Sequence, residues 1–393
     1  MERFDFYSPT YFAFGEGQER RTGELVRRFG GTKVLLHYGS GSIKRNGVYD
    51  AVMASLHEAG IAVVELGGVQ PNPRSDLVYE GIELCRKEGV DFILAVGGGS
   101  AIDSAKAIAQ GVPYDGDFWD FYTKKKDAEK ALPVGTVLTI AAAGSEGSGN
   151  SVITNENGML KWGCKANDLL RPRFSIMNPA FTCSLPAYQT ASGVTDILAH
   201  ICERYFTNTT DVEVTDRLCE ALMLTVIEAA PKAVANPNDV AARANIMWAG
   251  MLAHNNTCGV GRVQDWGSHA LEHELSSLYD CAHGAGLAVI MPAWMDYVCG
   301  HDVARFAQFA VRVWGCEMDF AHPEHTARAG IARFRAFLTA IGMPVTFAQL
   351  GAKAEDIPHL LEQLAKKNVP HEGSFVPLQP NDIEAIYRIA AQS

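Results

Sequence analysis

The first half of the chain repeats one pattern, in which a run of β-branched apolar residues ends in glycines and a helical stretch follows. Lys33 to Tyr38 leads into Gly39-Ser40-Gly41-Ser42, and Asp91 to Val96 leads into Gly97-Gly98-Gly99-Ser100. This alternation is typical of βαβ units on a parallel sheet. Consecutive glycines let backbone N–H groups at a helix N-terminus approach an anion such as phosphate. We therefore expect a Rossmann-like α/β domain that lays a dinucleotide across the carboxyl edge of its sheet.

The remaining segments predict how the chain divides into domains. Ile61 to Leu66 and Val134 to Ile140 are predicted strands, and Ser75 is a plausible N-cap for a helix to about Glu88. From about Pro186 onward the strand-like runs nearly vanish and helical periodicity takes over. We predict an α/β dinucleotide-binding domain over 1–185 and an all-α domain over 186–393, with helices interrupted at Pro231 and Pro292.

Composition excludes several classes of protein. A chain of 393 residues is too long for one ordinary core, and 47% apolar with 20% charged residues is the balance of a globular protein. The formal charge of -11 argues against a nucleic-acid partner, which normally needs a basic face. The start lacks a signal-peptide pattern and no apolar run is long enough to span a membrane, so we expect a cytoplasmic protein without membrane contact. The nine scattered cysteines are expected to be free thiols.

The glycine loops also bear on which dinucleotide is bound. A third polar loop, residues 143–149, follows the fourth predicted strand. Neither of the first two loops spells G-x-G-x-x-G with an acidic residue about twenty positions further on, so the Rossmann fingerprint is absent. The loop after the first predicted strand also has no Asp or Glu to take a ribose 2′-hydroxyl. Ser42, Lys44 and Arg45 could instead receive a 2′-phosphate. The sequence thus favours NADP(H) over NAD(H).

Histidines and one aspartate occur at helical spacing in the second half. Asp196 and His200 lie four residues apart, as do His269 and His273, and His283 follows in a turn-like segment. Either pair alone would more often be structural, but their concentration favours a metal site. Imidazole and carboxylate ligands suit a borderline divalent ion such as Fe²⁺ or Zn²⁺.

Taken together, these motifs resemble those of one known family. The sequence resembles the iron-containing, group III alcohol dehydrogenases, close to the NADPH-dependent butanol dehydrogenase branch, over nearly its whole length. The matching elements are Phe14-Gly15, Pro71-Asn72-Pro73, Gly97-Gly98-Gly99-Ser100 with Asp103, the segment 193–200, His269-x-x-x-His273 and His283-Gly284.

The resemblance implies roles for particular residues. It implies that Asp196, His200, His269 and His283 bind the metal, Fe²⁺ in the first place and Zn²⁺ as the other possibility. His273 would lie beside the nicotinamide without binding the metal, and it is our candidate for relaying the hydroxyl proton. The expected cofactor residues are Gly39, Ser40, Gly41, Ser42, Asn72, Gly97, Gly98, Gly99, Ser100, Asp103, Thr139, Ser145 and Lys165.

The family pattern is not matched everywhere. Glu272 and Cys281 stand where smaller or apolar residues are expected, which puts the size and polarity of the pocket in doubt. Phe206, Trp266 and Trp294 suggest a small aldehyde or primary alcohol as substrate, although core packing explains each of them equally well. We expect hydride transfer between such a substrate and NADP(H), chiefly as aldehyde reduction.

Two other functions are compatible with parts of the pattern. A lyase resembling dehydroquinate synthase would share the architecture, the NAD and the divalent metal, but it needs basic residues for a phosphorylated substrate. The other alternative is a non-catalytic sensor of a metal or nucleotide. Such a protein would have little use for a full set of metal ligands beside a cofactor groove. A homodimer is expected from the family, and the strand-like start around Tyr11 to Phe14 could pair with a second copy as an edge strand.

Overall fold

The structure is a computed structural model that describes residues 1–164 and 167–392. The chain divides into two compact units. The sheet unit comprises residues 7–185 and 237–255, and the helical unit comprises residues 1–6, 186–236 and 256–393. Lys165, one of the predicted cofactor residues, lies outside the described part of the chain.

Eight strands are described in the sheet unit. They are β1 (Tyr11–Phe14), β2 (Lys33–Gly39), β3 (Ala62–Val69), β4 (Phe92–Gly97), β5 (Val134–Leu138), β6 (Val152–Asn155), β7 (Leu160–Gly163) and β8 (Phe174–Met177). Six of them form a parallel sheet in the order β1-β8-β5-β4-β2-β3, while β6 and β7 form a separate antiparallel hairpin. The predicted parallel sheet is therefore confirmed.

The apolar character of the central strands follows from cover on both faces. Every residue of β4 is buried. Phe92 and Leu94 belong to one core cluster, whereas the alternating Ile93 and Ala95 belong to another. Because successive side chains point to opposite faces, a strand with a core on each side needs a continuous apolar run.

Six α-helices accompany the sheet in the described part of this unit. They are α1 (Thr22–Arg28), α2 (Ser42–Arg45), α3 (Val48–Glu58), α4 (Ser75–Glu88), α5 (Gly99–Gly111) and α8 (Val240–His254), numbered in chain order. The prediction that Ser75 caps α4 is wrong by one residue. Arg74 precedes the helix, and the Ser75 hydroxyl accepts a hydrogen bond from the backbone N–H of Glu156.

The helical unit contains the remaining helices. They are α6 (Ala187–Tyr205), α7 (Glu213–Ala235), α9 (Gly267–Tyr279), α10 (His283–Val298), α11 (Val303–Arg312), α12 (Pro323–Ala340), α13 (Phe347–Leu350), α14 (Ile357–Ala365) and α15 (Pro380–Gln392). The predicted interruptions at Pro231 and Pro292 are wrong, because α7 and α10 continue through these residues. Helix packing outweighs the hydrogen bond that each proline removes.

The division into units differs from the two continuous ranges predicted. A boundary between the units falls between residues 185 and 186, residues 1–6 group with the helical unit, and residues 237–255 group with the sheet unit. Helix α8 packs against the loop after β5, where a Cβ on Gly144 would lie 2.5 Å from the Gly250 carbonyl oxygen. Trp248 of α8 also contacts the rings of Phe12 and Phe14.

Within residues 1–164 and 167–392, none of the helices combines the length and apolar character that crossing a membrane requires.

Candidate metal centre and nucleotide loops

Helix α6 presents the first two predicted metal ligands. Asp196 and His200 are separated by one helical turn, and both are buried. Asp196 Oδ1 lies 2.9 Å from His200 Nδ1. The same ring nitrogen is 2.9 Å from the backbone carbonyl oxygen of Asp196. The four-residue spacing thus brings the two side chains together.

Helices α9 and α10 bring the other two predicted ligands to the same carboxylate. His269 lies in the first turn of α9, and His283 is the first residue of α10. Asp196 Oδ1 is 3.9 Å from His269 Nε2 and 3.7 Å from His283 Nε2. One carboxylate oxygen therefore lies within 4 Å of a nitrogen atom of each of the three histidines.

Two glycines allow α10 to approach its neighbours. A Cβ on Gly284 would lie 1.9 Å from the backbone carbonyl oxygen of Ser192 in α6. A Cβ on Gly286 would lie 2.5 Å from Glu272 Oε1 in α9. Glycine at these positions is therefore a condition for the approach of His283 to Asp196.

Two of the histidines each contact a buried carboxylate through the ring nitrogen that faces away from Asp196. Glu203 Oε1 accepts a hydrogen bond from His269 Nδ1 at 2.9 Å, and Glu272 Oε2 contacts His283 Nδ1. Both carboxylates are buried. Sequence reasoning did not find Glu203, although its position one turn after His200 was a signal, and it treated Glu272 only as a departure from the family pattern.

Burial and charge act against each other in this cluster. Burial would raise the pKa of the Asp196 carboxyl, but the imidazoles of His200 and His283 outweigh it and hold that pKa well below its usual range. Burial lowers the pKa of His200 to about 4 despite the neighbouring carboxylate. Burial also acts to lower the pKa of His269, yet the facing carboxylates of Asp196 and Glu203 raise it to about 9. The carboxylates thus attract positive charge, which a divalent cation can supply in place of a proton.

The donor atoms fit such a cation. Among the described residues, His269 Nε2 is buried and has no hydrogen-bond partner, and Asp196 Oδ1 makes no hydrogen bond of acceptable geometry. Buried polar atoms are normally satisfied, so unsatisfied ones that converge on one point call for a further group. A carboxylate oxygen with imidazole nitrogens is a donor set that suits Fe²⁺ or Zn²⁺.

His273 lies beside this cluster. Its ring centroid is 5.5 Å from that of His283, and its side chain is half-buried. Its imidazole belongs with Glu272 and His283 to one group of neighbouring donor atoms, while Asp196, His200 and His269 form another, and His283 connects the two groups through the 3.7 Å approach of its Nε2 to Asp196 Oδ1. The assignment of a proton relay to His273 stays a prediction.

The aromatic residues considered for the substrate pocket divide into two groups. Phe206 and Trp294 are fully buried and pack against each other with ring centroids 5.7 Å apart, so core packing accounts for them. Trp266 instead contacts the imidazoles of His200 and His269, at 5.7 and 5.3 Å between centroids.

The predicted cofactor residues of the sheet unit follow the carboxyl ends of four neighbouring strands. Because the strands are parallel, their ends lie at the same edge of the sheet. The residues are Gly39 at the end of β2 with Ser40, Gly41 and Ser42 after it, Asn72 after β3, Gly97 at the end of β4 with Gly98, Gly99, Ser100 and Asp103 after it, and Thr139 and Ser145 after β5.

Asp103 and Ser145 are linked through a buried network. Ser145 Oγ donates to Asp103 Oδ1 at 2.6 Å. The fully buried Lys106 donates to Ser145 Oγ and to the carbonyl oxygens of Ser145 and Asn150, all at 2.7 or 2.8 Å. Burial lowers the pKa of this ammonium group to about 8. These side chains hold the loop of residues 145–150 against α5, and contact of the loop with a cofactor stays a prediction.

The loop after β2 is open and basic. Gly41 has a φ of 104°, a backbone conformation that glycine adopts readily. Ser42, Lys44 and Arg45 are exposed. Sequence reasoning found no acidic residue at this loop, but Glu65 of β3 lies 3.6 Å from Lys44 Nζ.

Comparisons with known proteins match nearly the whole length of the chain to one family. The sequence model of the family "Iron-containing alcohol dehydrogenase" matches residues 9–179. The sequence model of the "Fe-containing alcohol dehydrogenase family, C-terminal" matches residues 190–391. "Probable NADH-dependent butanol dehydrogenase 2" of Bacillus subtilis is 43% identical over 99% of both chains. "NADPH-dependent aldehyde reductase YqhD" of Escherichia coli is 35% identical over 99% of this chain and 100% of its own.

Solved structures give the same result. The crystal structure of NADH-dependent butanol dehydrogenase A from Thermotoga maritima superposes with a TM-score of 0.97 at 41% identity, covering 100% of this chain and 99% of that one. The chain belongs to the iron-containing alcohol dehydrogenase family.

Proposed function

We propose that this chain is a divalent-metal-dependent oxidoreductase that interconverts small primary alcohols and aldehydes with NADP(H), chiefly as an aldehyde reductase. The observation that carries the proposal is the convergence of His200, His269 and His283 on the single carboxylate oxygen of Asp196. Family membership supports alcohol or aldehyde chemistry at this centre, and the relatives named above include a butanol dehydrogenase and an aldehyde reductase.

Asp196, His200, His269 and His283 would hold the cation, Fe²⁺ in the first place and Zn²⁺ as the other possibility. When bound, the cation supplies a Lewis acid for the alcohol or aldehyde oxygen, and NADP(H) supplies or accepts the hydride. The half-buried His273 would exchange the hydroxyl proton with the substrate, since imidazole can act as acid or base near neutral pH. Burial lowers the pKa of His200 and favours its neutral form, while Glu203 and Glu272 engage Nδ1 of His269 and His283, and these surroundings suit ligands better than relays.

The preference for NADP(H) rests on the loop after β2. Ser42, Lys44 and Arg45 are exposed there and could receive a 2′-phosphate. Glu65 already attracts Lys44, so Arg45 is the freer cation for this purpose. The relatives include proteins named as NADH-dependent and as NADPH-dependent, which leaves this loop as the basis of the proposal.

The cofactor preference can be measured on the loop itself. In the variant with Lys44→Ala and Arg45→Ala, we expect kcat/KM for NADPH to fall roughly tenfold, because charge-assisted hydrogen bonds are lost, while the value for NADH changes little. Lys87→Ala, which removes an exposed lysine at the end of α4, is the control. Comparable kcat/KM for NADH and NADPH in the unmodified protein would contradict the preference.

The reaction itself is tested by NADPH oxidation with butanal as substrate. We expect turnover that a chelator abolishes and that Fe²⁺ or Zn²⁺ restores. A phosphorylated heptulosonate should give no reaction, and turnover of that compound would favour a lyase resembling dehydroquinate synthase. Metal binding without turnover of any aldehyde or alcohol would favour a sensor.

We also propose a homodimer through β1. This strand lies at one edge of the sheet. The backbone N–H groups of Tyr11 and Gly15 donate towards β8, so the alternate amides at Phe12 and Phe14 face away from it. Such an edge can pair with the same strand of a second copy. Light scattering coupled to size-exclusion chromatography would contradict the proposal by giving the mass of one chain.

A further inference from the structure

Glu203 gathers donors from the segment that begins α9. This carboxylate lies on α6, three residues after His200, and it is 1% exposed. Its Oε1 accepts hydrogen bonds from the Ser268 hydroxyl and from the backbone N–H and Nδ1 of His269, the last two at 3.0 and 2.9 Å. Its Oε2 accepts from the backbone N–H of Trp266 at 2.7 Å. A single side chain therefore connects two helices that carry proposed metal ligands.

The contact with His269 fixes the ring. When a carboxylate accepts from Nδ1, the proton stays on that nitrogen and Nε2 presents its lone pair. The orientation of the ring follows from the same bond, and it directs Nε2 towards Asp196 Oδ1, 3.9 Å away. Glu203 thus determines which nitrogen of His269 is available and where it points.

The contact with Trp266 holds an unusual backbone conformation. Trp266 has a φ of 76°, a backbone conformation that residues other than glycine adopt at a cost on the order of 1–3 kcal/mol. It precedes the first residue of α9, so its conformation sets the direction in which that helix starts. The hydrogen bond from its N–H to Glu203, together with that of Ser268, stabilises this start from the neighbouring helix.

We propose that Glu203 is a positioning residue for the cation site, which sets the tautomer and orientation of His269 and docks α9 onto α6 so that the ligand atoms converge before the cation binds. The inference rests on the proposed metal-dependent function, because it needs a cation at this cluster. Glu272 has the corresponding relation to His283, whose Nδ1 it contacts while Nε2 faces Asp196.

The test compares Glu203→Gln with Glu274→Gln. Gln preserves the volume of Glu203 but replaces one acceptor oxygen with a donor group, so the set of four donors can no longer be satisfied. Glu274 is the matched control, since it is equally buried and lies on α9 but pairs with Lys367 at 2.8 Å. Co²⁺ is the probe, because its visible absorption reports the ligand field directly.

We expect Glu203→Gln to raise the Co²⁺ dissociation constant 10- to 100-fold and to change the absorption spectrum of bound Co²⁺. Glu274→Gln should bind Co²⁺ within about threefold of the unmodified protein, with the same spectrum. Unchanged affinity and spectrum in Glu203→Gln would overturn the inference, as would equal losses in both variants, since a general loss of buried charge would then explain them.

A second variant covers the case in which Glu203→Gln fails to fold, as judged by circular dichroism. Ser268→Ala removes one donor to Glu203 and leaves the carboxylate in place, and we expect a rise in the Co²⁺ dissociation constant of about threefold to tenfold. No rise would overturn the inference. The variants could show the expected changes in Co²⁺ binding while the unmodified protein turns over no aldehyde. That result would overturn the proposed function and still support the role of Glu203.

Discussion

Gly284 controls how closely α10 approaches α6. The Cβ of an alanine at this position would overlap a backbone carbonyl oxygen, which cannot move aside as the end of a flexible side chain can. Alanine would favour the helix by about 1 kcal/mol, but overpacking at a site that cannot adjust costs on the order of 3 kcal/mol. The steric effect should therefore decide the outcome.

We predict that Gly284→Ala lowers the free energy of unfolding by about 2 kcal/mol and weakens Co²⁺ binding, because His283 is displaced from Asp196. Urea denaturation and Co²⁺ titration measure the two effects. Gly300→Ala is the control, since a Cβ there meets nothing within 4 Å. Equal behaviour of the two variants would show that the approach of α10 to α6 does not limit the site.

His37 links the stability of the sheet unit to pH. It is fully buried in β2, with Nδ1 2.9 Å from the Leu66 carbonyl oxygen and Nε2 2.8 Å from Ser104 Oγ. Burial lowers the pKa of this imidazole to about 4, whereas in an unfolded chain it is near 6.5. The unfolded state therefore binds more protons than the folded state between these pH values. The contribution of neutral His37 to the free energy of unfolding is complete above pH 6.5 and is lost as the pH falls towards 4.

We predict that His37→Gln shows a shallower loss of unfolding free energy between pH 6.5 and 4 than the unmodified protein, by up to about 3 kcal/mol. Urea titrations across this range measure the difference. His57→Gln, at an exposed histidine of α3, should keep the full dependence. Parallel curves for His37→Gln and the unmodified protein would mean that His37 is not the group responsible.

Single residues also show how far the sequence predicts the site. Asp196 and His200 lie on one helix, so their spacing alone brings them together. Glu203 and His269 meet only because α6 packs against α9, and the sequence gives no measure of that packing. The approach of Asp196 to His200 could therefore be predicted from local spacing, whereas the spacing of Glu203 from His200 does not reveal its contact with α9.

At the level of elements, Lys106 ties α5 to the loop of residues 145–150. Its ammonium group donates to Ser145 Oγ and to the carbonyl oxygens of Ser145 and Asn150 in that loop, and it lies near Asp103. Removing it would leave several buried acceptors unsatisfied, at about 1–3 kcal/mol each. The loop should then lose its fixed position at the carboxyl edge of the sheet.

We predict that Lys106→Met raises KM for NADPH roughly tenfold, because the proposed cofactor loop is less well placed. Co²⁺ affinity should stay within the range of the unmodified protein, which separates the effect from general unfolding. Lys87→Met, at an exposed lysine of α4, should change neither quantity. An unchanged KM in Lys106→Met would argue that this loop does not contribute to cofactor binding.

Elements differ in how strongly the sequence predicts them. The buried strand β4 is a continuous apolar run bounded by polar and glycine residues, and it was predicted to within one residue at each end. The hairpin of β6 and β7 was not predicted, because its short strands carry no clear alternation of apolar residues. Pro231 and Pro292 were predicted to interrupt helices, since the local cost of proline is visible in a sequence and the compensating packing is not.

On the scale of the whole molecule, the sheet unit depends on a helix from the second half of the chain. Ile246, Met247 and Met251 of α8 are buried, and the two methionines belong to one of the core clusters of the sheet. Burial of such side chains contributes about 2 kcal/mol each. A polypeptide of residues 7–185 alone would leave their partners exposed.

We predict that residues 7–185 joined to 237–255 by a flexible linker unfold cooperatively, and that residues 7–185 alone unfold at a lower urea concentration or without a cooperative transition. Circular dichroism during urea titration distinguishes the two. A linked segment in which Met247 and Met251 are both replaced by serine should behave like the shorter polypeptide. Identical transitions in all three would show that α8 is not required by the sheet unit.

The late position of α8 in the chain bears on synthesis as well as on stability. Residues 7–185 emerge from the ribosome first, and the whole segment from 186 to 236 must then be translated before α8 emerges. At roughly 5–20 residues per second, this interval lasts several seconds, during which the nascent sheet exposes the apolar surface that Met247 and Met251 later cover. Chaperone binding and aggregation of the nascent chain should therefore be concentrated in that interval and end when α8 docks.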